Sequence, residues 1–266
     1  LSFNLLKKKI SNKTKVIIVI NFFGIKQKLK NLYKFCKKKK ILLFVDDCHT
    51  FYDLNKSSSN NCDVKFFSPS KIFNKIIVGG ILQINNNSIQ IENNLPVLKF
   101  NNTLTKIFKQ KFKKTAFYEK LKFSKPRPKF ENENFFKSKF LVNKYSLNKK
   151  DILKIKSLNF KIENKLRLKN FVYWNLICKK FMLKPILKIN SIKHGCPLYF
   201  PAMCKSKIET IKLFDFGWKN KLEIVSWPTL HISQRKNKRL ISHWKRMIYF
   251  PMDKKYFNNK RLYNFV

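Results

Sequence analysis

The chain has 266 residues, with 59 Lys plus Arg against 14 Asp plus Glu, a formal net charge of +45, 44% hydrophobic residues and 27 Phe. That apolar content excludes a disordered tail and suffices for one large domain or a domain and a half. The charge invites a nucleic-acid reading. Only six of the basic residues are arginines, however, and the lysines are spread from end to end, with KKK at 7–9 and KKKK at 37–40 the only long runs. The other over-used residues are Asn, Ile and Phe, while Gly (5) and Pro (9) are scarce, the signature of an AT-rich coding sequence. Codon bias therefore accounts for the charge, and nucleic-acid affinity is expected only as a nonspecific by-product.

In chain order, KTKVIIVINFFG is a β-branched run closed by Gly24 and is expected to form a strand buried on both faces. Asn21 already interrupts it, so no apolar run reaches membrane-spanning length. The first residues lack a signal-peptide layout, which points to the cytoplasm. Leu29, Leu32, Tyr33 and Cys36 recur at i, i+3, i+4 and i+7, predicting a surface helix over 26–38 with one apolar stripe. Ile41 to Val45 is a second buried run, completing a parallel βαβ unit with a right-handed crossover. Asp46 and Asp47 then fall at the carboxyl end of a strand, the edge where open α/β sheets bind ligands. Asn55 to Cys62 reads as a polar loop, and Asp63 to Phe67 as a short strand delivering Ser68, Ser70 and Lys71 on a Ser-rich loop. From Gly79, ILQI and SIQIE flank Asn85 to Asn87, predicting a hairpin with Asn in the turn, where positive φ is tolerated.

Beyond Pro96 the pattern weakens, and 97–150, with PRP at 126–128, reads as a connecting helical and loop region. Ile155 to Phe181 predicts one helix. Leu198 to Met203, Ser206 to Phe216 and Leu222 to Trp227 predict strand, helix and strand, with Gly217 as the helix stop. The implied division is 1–96, 97–150 and 151–266. The cysteines at 36, 48, 62, 178, 196 and 204 form no CxxC pair and no metal spacing with the four histidines, so reduced thiols and no metal site are expected.

An apolar strand ending in an acid, a Ser-rich loop presenting one lysine and a Gly-Gly strand start form the arrangement that holds pyridoxal phosphate. The order TKVIIVINFFG, helix, ILLFVDDCHTF, FFSPSK and GG resembles the core of the DegT/DnrJ/EryC1/StrS family of aminotransferases. Farther on, KLRLKNFVYWNLICKKF resembles the family's long helix with Arg-x-x-Asn, here Arg167 and Asn170. CPLYFPAMCKSKIETIKLFDFGWKNKLEIVSWP and the Pro-containing IYFPMDKKYF resemble its small-domain ending. The resemblance implies an α/β protein of the pyridoxal-phosphate-dependent transferase fold type I: a mostly parallel large domain, here truncated, plus a small C-terminal α/β domain. It also implies an upstream segment carrying the first helix and strands, the phosphate loop and the aromatic that stacks on the ring.

In that family Lys71 would be the Schiff-base lysine and the proton shuttle, and Asp47 the partner of the pyridine nitrogen. Thr50 stands where Gln or His approaches the cofactor's 3′ oxygen, and Ser68 and Ser70 would donate to the phosphate. Phe66 replaces a phosphate-binding Ser. A lysine in place of the histidine of the family's dehydratase branch implies transamination, from glutamate or glutamine to the keto group of a nucleotide-linked sugar, in a homodimer. From the residues alone, plainer roles stand beside these. Lys71 fits a solvated surface charge, Asp47 a helix N-cap, Ser68 and Ser70 turn residues, Arg167 and Asn170 helix caps or ion pairs, and Trp218 and Trp227 core. His49 has no assignment. An inactive remnant and a basic nucleic-acid or ribosome-binding protein are the competing whole-chain readings.

Overall fold

The computed structural model describes residues 2–49, 61–73, 79–91, 112, 115, 117, 121, 147, 149–188, 198–226, 234 and 236–252. Two compact units divide the chain: Leu1–Leu98, Tyr145–Asn164 and Ile192–Leu198 in the first, Lys99–Lys144, Lys165–Ser191 and Tyr199–Val266 in the second. Thr50, Trp227, His194, Cys196, the segment 126–128 and most of 97–150 lie outside the described residues. Among the described residues no helix is long and apolar enough to cross a membrane, and no group of three or more His, Cys, Asp or Glu could hold a metal.

In the first unit a short helix α1 (Phe3–Lys7), capped by the Ser2 hydroxyl, precedes β1 (Val16–Ile20), α2 (Lys30–Lys38) and β2 (Leu42–Asp46). β3 (Val64–Phe67), the single helical turn α3 (Pro69–Ile72) and β4 (Ile81–Ile84) follow. The sheet order is β1-β2-β3-β4, with β1 parallel to β2, β2 parallel to β3, and β4 antiparallel to β3. The expected parallel βαβ unit is present. Leu32 and Cys36 of α2 close over Ile17 and Val19 of β1 and Leu43 and Val45 of β2, with Leu29 and Tyr33 packed at the margin.

Four expectations are corrected in this unit. β1 is buried on one face only: Val16, Ile18 and Ile20 are exposed, Ile18 by 60%. α2 covers the opposite face, so β-branched residues set strand propensity here without setting burial on both sides. β2 likewise alternates, with Leu42 and Phe44 half-buried and Leu43 and Val45 buried. Lys71 lies on α3 rather than on a loop. The hairpin over 81–92 does not form: ILQI pairs with β3, no strand occupies 88–91, and the turn is closed by Ile89 N donating to Asn86 O at 3.0 Å. Asn86 Oδ1 also accepts from Ser88 N and Oγ, and no Asn here has positive φ. The Gly-Gly step is explained by geometry. Gly79 has φ 102°, a conformation L side chains rarely adopt, and a Cβ on Gly80 would stand 3.2 Å from Phe67 O as β4 joins β3.

Asp63, fully buried just before β3, ties the unit together. Its carboxylate accepts from Leu43 N at 2.7 Å, Lys37 Nζ at 2.8 Å and Asn86 Nδ2 at 2.8 Å. Burial alone would raise this carboxyl, but the Leu43, Lys37 and Asn86 hydrogen bonds outweigh it and hold it below the usual range. A depressed carboxylate contributes stability that is present above its unfolded value and lost as pH falls through its folded value. Thermal melts should therefore decline as pH drops below about 4. Asp63→Asn should lower the melting temperature at neutral pH and flatten that acid decline; an unchanged acid limb would contradict the assignment.

α4 (Lys149–Lys156) and α5 (Phe160–Lys180) replace the one helix expected over 155–181. The break at 157–159 coincides with the Ser157 hydroxyl donating to Lys154 O and with Asn159 Oδ1 accepting from Ile162 N, a helix stop followed by an N-cap.

From Lys165 on, α5 belongs to the second unit, with β5 (Lys184–Pro185), β6 (Tyr199–Met203), α6 (Lys207–Lys219), α7 (Lys238–Lys245) and β7 (Met247–Pro251). The antiparallel sheet has the order β5-β6-β7. Arg167, Asn170, Phe171, Trp174, Ile177 and Cys178 form the buried stripe of α5. Asn170 is not a cap: its Nδ2 donates to Met252 O at 2.9 Å, while Trp174 Nε1 donates to Pro251 O at 2.8 Å. Among the described residues, the strand expected over 222–227 is reduced to one bridge between Val225 and Tyr249.

Gly217 does not stop α6. Ser206 caps its start, and the helix continues to Lys219, with Asn220 at the C-cap. Gly217 is instead a contact point, since a Cβ there would lie 2.3 Å from Ile224 Cδ1 and 2.6 Å from its Cγ1. Gly217→Ala should cost about 1–3 kcal/mol from overpacking, against the small gain its helix propensity alone would give. Urea titration of the variant decides the sign.

Candidate active site

The candidate site lies where β2 and β3 end. Register pairs Asp46 with Phe66, so Asp47 follows at the carboxyl edge, its N–H donating to Phe66 O at 2.9 Å. Asp47 is only 4% exposed, and its Oδ1 accepts a hydrogen bond from Asn21 Nδ2. The local turn is closed by its neighbour: Asp46 Oδ1 accepts from Cys48 N at 2.8 Å. A carboxylate kept this deep needs fixed donors, because an unpaired buried charge is costly.

Asn21 was not among the residues singled out for function. Its only signal in the sequence is a polar residue ending an apolar run, one position beyond the Ile20–Asp46 register pair, where Asn21 N donates to Asp46 O at 3.0 Å. Cys48 and His49 complete the turn. Burial, with the Asp46 carboxylate added, pushes the Cys48 thiol up to about 12, so it is no nucleophile. His49 packs against Phe22 and Phe23, with ring centroids 5.8 and 6.3 Å away. Burial first, then the Lys71 charge, lowers its imidazole to about 4, with Asp46 opposing, so it is neutral.

The Lys71 charge lowers both the Cys48 thiol and the His49 imidazole, opposing burial at Cys48 and adding to it at His49. Pro69 starts α3, and Lys71 N donates to Ser68 O at 3.1 Å, presenting the lysine side chain to solvent. Ser68 stands at the N-cap position without capping, and its Oγ lies 3.2 Å from Ser70 Oγ. Beneath them Phe67, Pro69, Ile72, Ile81 and Phe160 leave a void of only about 10 Å³, so the turn rests on a filled apolar floor. Phe73 meets Phe160 edge-on at 5.1 Å. The structure thus groups Asp47 with Asn21, and Ser68 with Ser70 and Lys71. Thr50 lies outside the described residues.

The fold is fold type I of the pyridoxal-phosphate-dependent transferases, and solved structures share it. One is a protein of Streptococcus pneumoniae described as a sugar aminotransferase, in its PMP-form: 16% identity, TM-score 0.58, covering 100% of this chain and 69% of that one. Another is PseC of Helicobacter pylori, an aminotransferase involved in the biosynthesis of pseudoaminic acid: 15% identity, TM-score 0.55, covering 98% and 67%. By sequence, residues 1–115 match the DegT/DnrJ/EryC1/StrS aminotransferase family, which bears out the resemblance drawn from their motifs. A search of curated proteins gives no match.

Proposed function

We propose that the protein is a pyridoxal-phosphate-dependent aminotransferase that moves an amino group from glutamate or glutamine to the keto group of a nucleotide-linked sugar. The observation that carries this reading is the buried Asp47, held at the sheet edge by Asn21 Nδ2 and by its own N–H to Phe66 O, next to the strand that leads into the Lys71 turn. The residues fit the cofactor. Asp47 offers a fixed carboxylate for a pyridinium nitrogen, Lys71 an exposed amine for an aldehyde, and Ser68 and Ser70 hydroxyl donors for a phosphate, while Thr50, outside the described residues, keeps only the role that the resemblance implies.

When bound, pyridoxal phosphate supplies an electron sink for the bonding pair left at the donor's α-carbon. Asp47 would orient the ring by its nitrogen and hold the proton there. Lys71 Nζ would take the proton from the donor's α-carbon, a transfer of the general-base kind. Ser68 and Ser70 would anchor the cofactor's phosphate. The matched family and the sugar aminotransferases that share the fold support the amino-transfer class. The sugar acceptor, the donor, a homodimer with shared sites, a cytoplasmic location and the division at 96 and 150 belong to the same proposal. Incubating the full chain with cofactor, glutamate and a nucleotide-linked keto sugar should release 2-oxoglutarate in step with aminated sugar. No product with any keto sugar, while amino-acid keto acceptors react, would overturn the acceptor assignment.

A further inference from the structure

We infer that Asn21 is the positioning residue for Asp47, fixing the direction of the carboxylate that faces the cofactor. Asn21 is 3% exposed and is held at both ends of its side chain. Its Oδ1 accepts from Gln27 N at 3.0 Å, and its Nδ2 donates to Asp47 Oδ1. The Gln27 N–H can only meet an oxygen, so the amide orientation is set by the backbone, and the nitrogen must face Asp47, whose carboxylate accepts. Asn21 N donating to Asp46 O at 3.0 Å locks the residue to the same strand end. Asn21 thus transmits the rigidity of the β1–β2 pair to the Asp47 carboxylate. Such supporting partners set how accurately a binding group is aimed.

The inference rests on the proposed cofactor reading, and two measurements separate them. Asn21→Asp preserves size and the acceptor for Gln27 N–H, but replaces the donor facing Asp47 with a second carboxylate oxygen. A residue that merely anchored the 22–27 segment would tolerate it. Titrating pyridoxal phosphate into the full chain should show affinity at least about tenfold weaker in Asn21→Asp than in wild type. In the cofactor-free chain, the Asn21 side-chain amide protons should be protected from exchange by NMR and lose that protection in Asp47→Ala, a readout that needs neither cofactor nor activity. Equal affinity of Asn21→Asp and wild type, or amide exchange indifferent to Asp47→Ala, overturns the inference alone. No uptake by the wild-type chain overturns the cofactor reading and takes this inference with it.

Discussion

Lys71→Ala should reduce amino transfer by a factor of about 10² to 10⁴, the range lost with a positioned proton-transfer group, and more if no external amine substitutes. The same change should leave the melting temperature nearly untouched, because the Lys71 side chain is exposed on α3 and substitutions at such positions shift stability within about 0.5 kcal/mol. The split between activity and stability is what identifies the lysine. A surface charge would change neither, and a structural residue would change both. Steady-state assays beside thermal melts on the same preparation read the two quantities together, and partial rescue of activity by added small amines would strengthen the assignment.

Trp174→Ala is the substitution expected to damage the second unit most. Trp174 is 1% exposed, stacks on Phe250 with centroids 4.5 Å apart and an interplanar angle of 23°, and meets Tyr173 at 5.5 Å. Its indole N–H also satisfies the Pro251 carbonyl at 2.8 Å. Truncating a buried Trp costs about 3–5 kcal/mol, and leaving a buried carbonyl unmet adds about 1–3 kcal/mol. Against a whole-domain stability of about 5–15 kcal/mol, this removes much of the margin. Trp174→Phe helps separate the two contributions, since it retains an aromatic face for Phe250 while losing the donor and one ring of packing volume. In urea titrations followed by circular dichroism, the Phe variant should lose the hydrogen-bond share and only part of the packing share. Equal losses in the two variants would show that the Pro251 bond, and not the packing, dominates.

The parts of the fold legible in the sequence were those written in long apolar periods. VIIVI and ILLFV on either side of the Leu32 and Cys36 stripe could hardly form anything but a parallel βαβ unit, and that topology by itself puts Asp46 and Asp47 at the binding edge. The second unit was less legible. β7 carries Pro251, and proline argues against a paired strand, yet here Pro251 ends the strand, where its carbonyl serves Trp174. Gly217 looks like a helix stop from propensity, while the close approach of Ile224 decides otherwise. The polar Asn85–Asn87 turn suggested a hairpin, but β4 finds a longer partner in β3, and Asn85 N is tied back to Asp63 O at 2.8 Å.

For the proposed site, residue types point to Asp47 and Lys71 because an acid after a buried strand and a lysine between SPS and Gly-Gly are unusual even in a lysine-rich chain. Asn21 stayed hidden because Asn is common throughout the sequence, and only strand register shows that it reaches Asp47, twenty-six residues away. His49 remained unassigned for a related reason. Alternation along β2 would put it on the same face as Asp47, but the strand ends at Asp46, and the turn packs the ring against Phe22 and Phe23.

The central claim, that Lys71 and Asp47 hold pyridoxal phosphate, is tested most directly by an absorbance titration of the full chain with the cofactor, beside Lys71→Ala. The account predicts a visible band from lysine-bound cofactor in the wild type, abolished by borohydride with the label recovered on Lys71, and no such band in the variant. The same band in both proteins, or in neither, would contradict it.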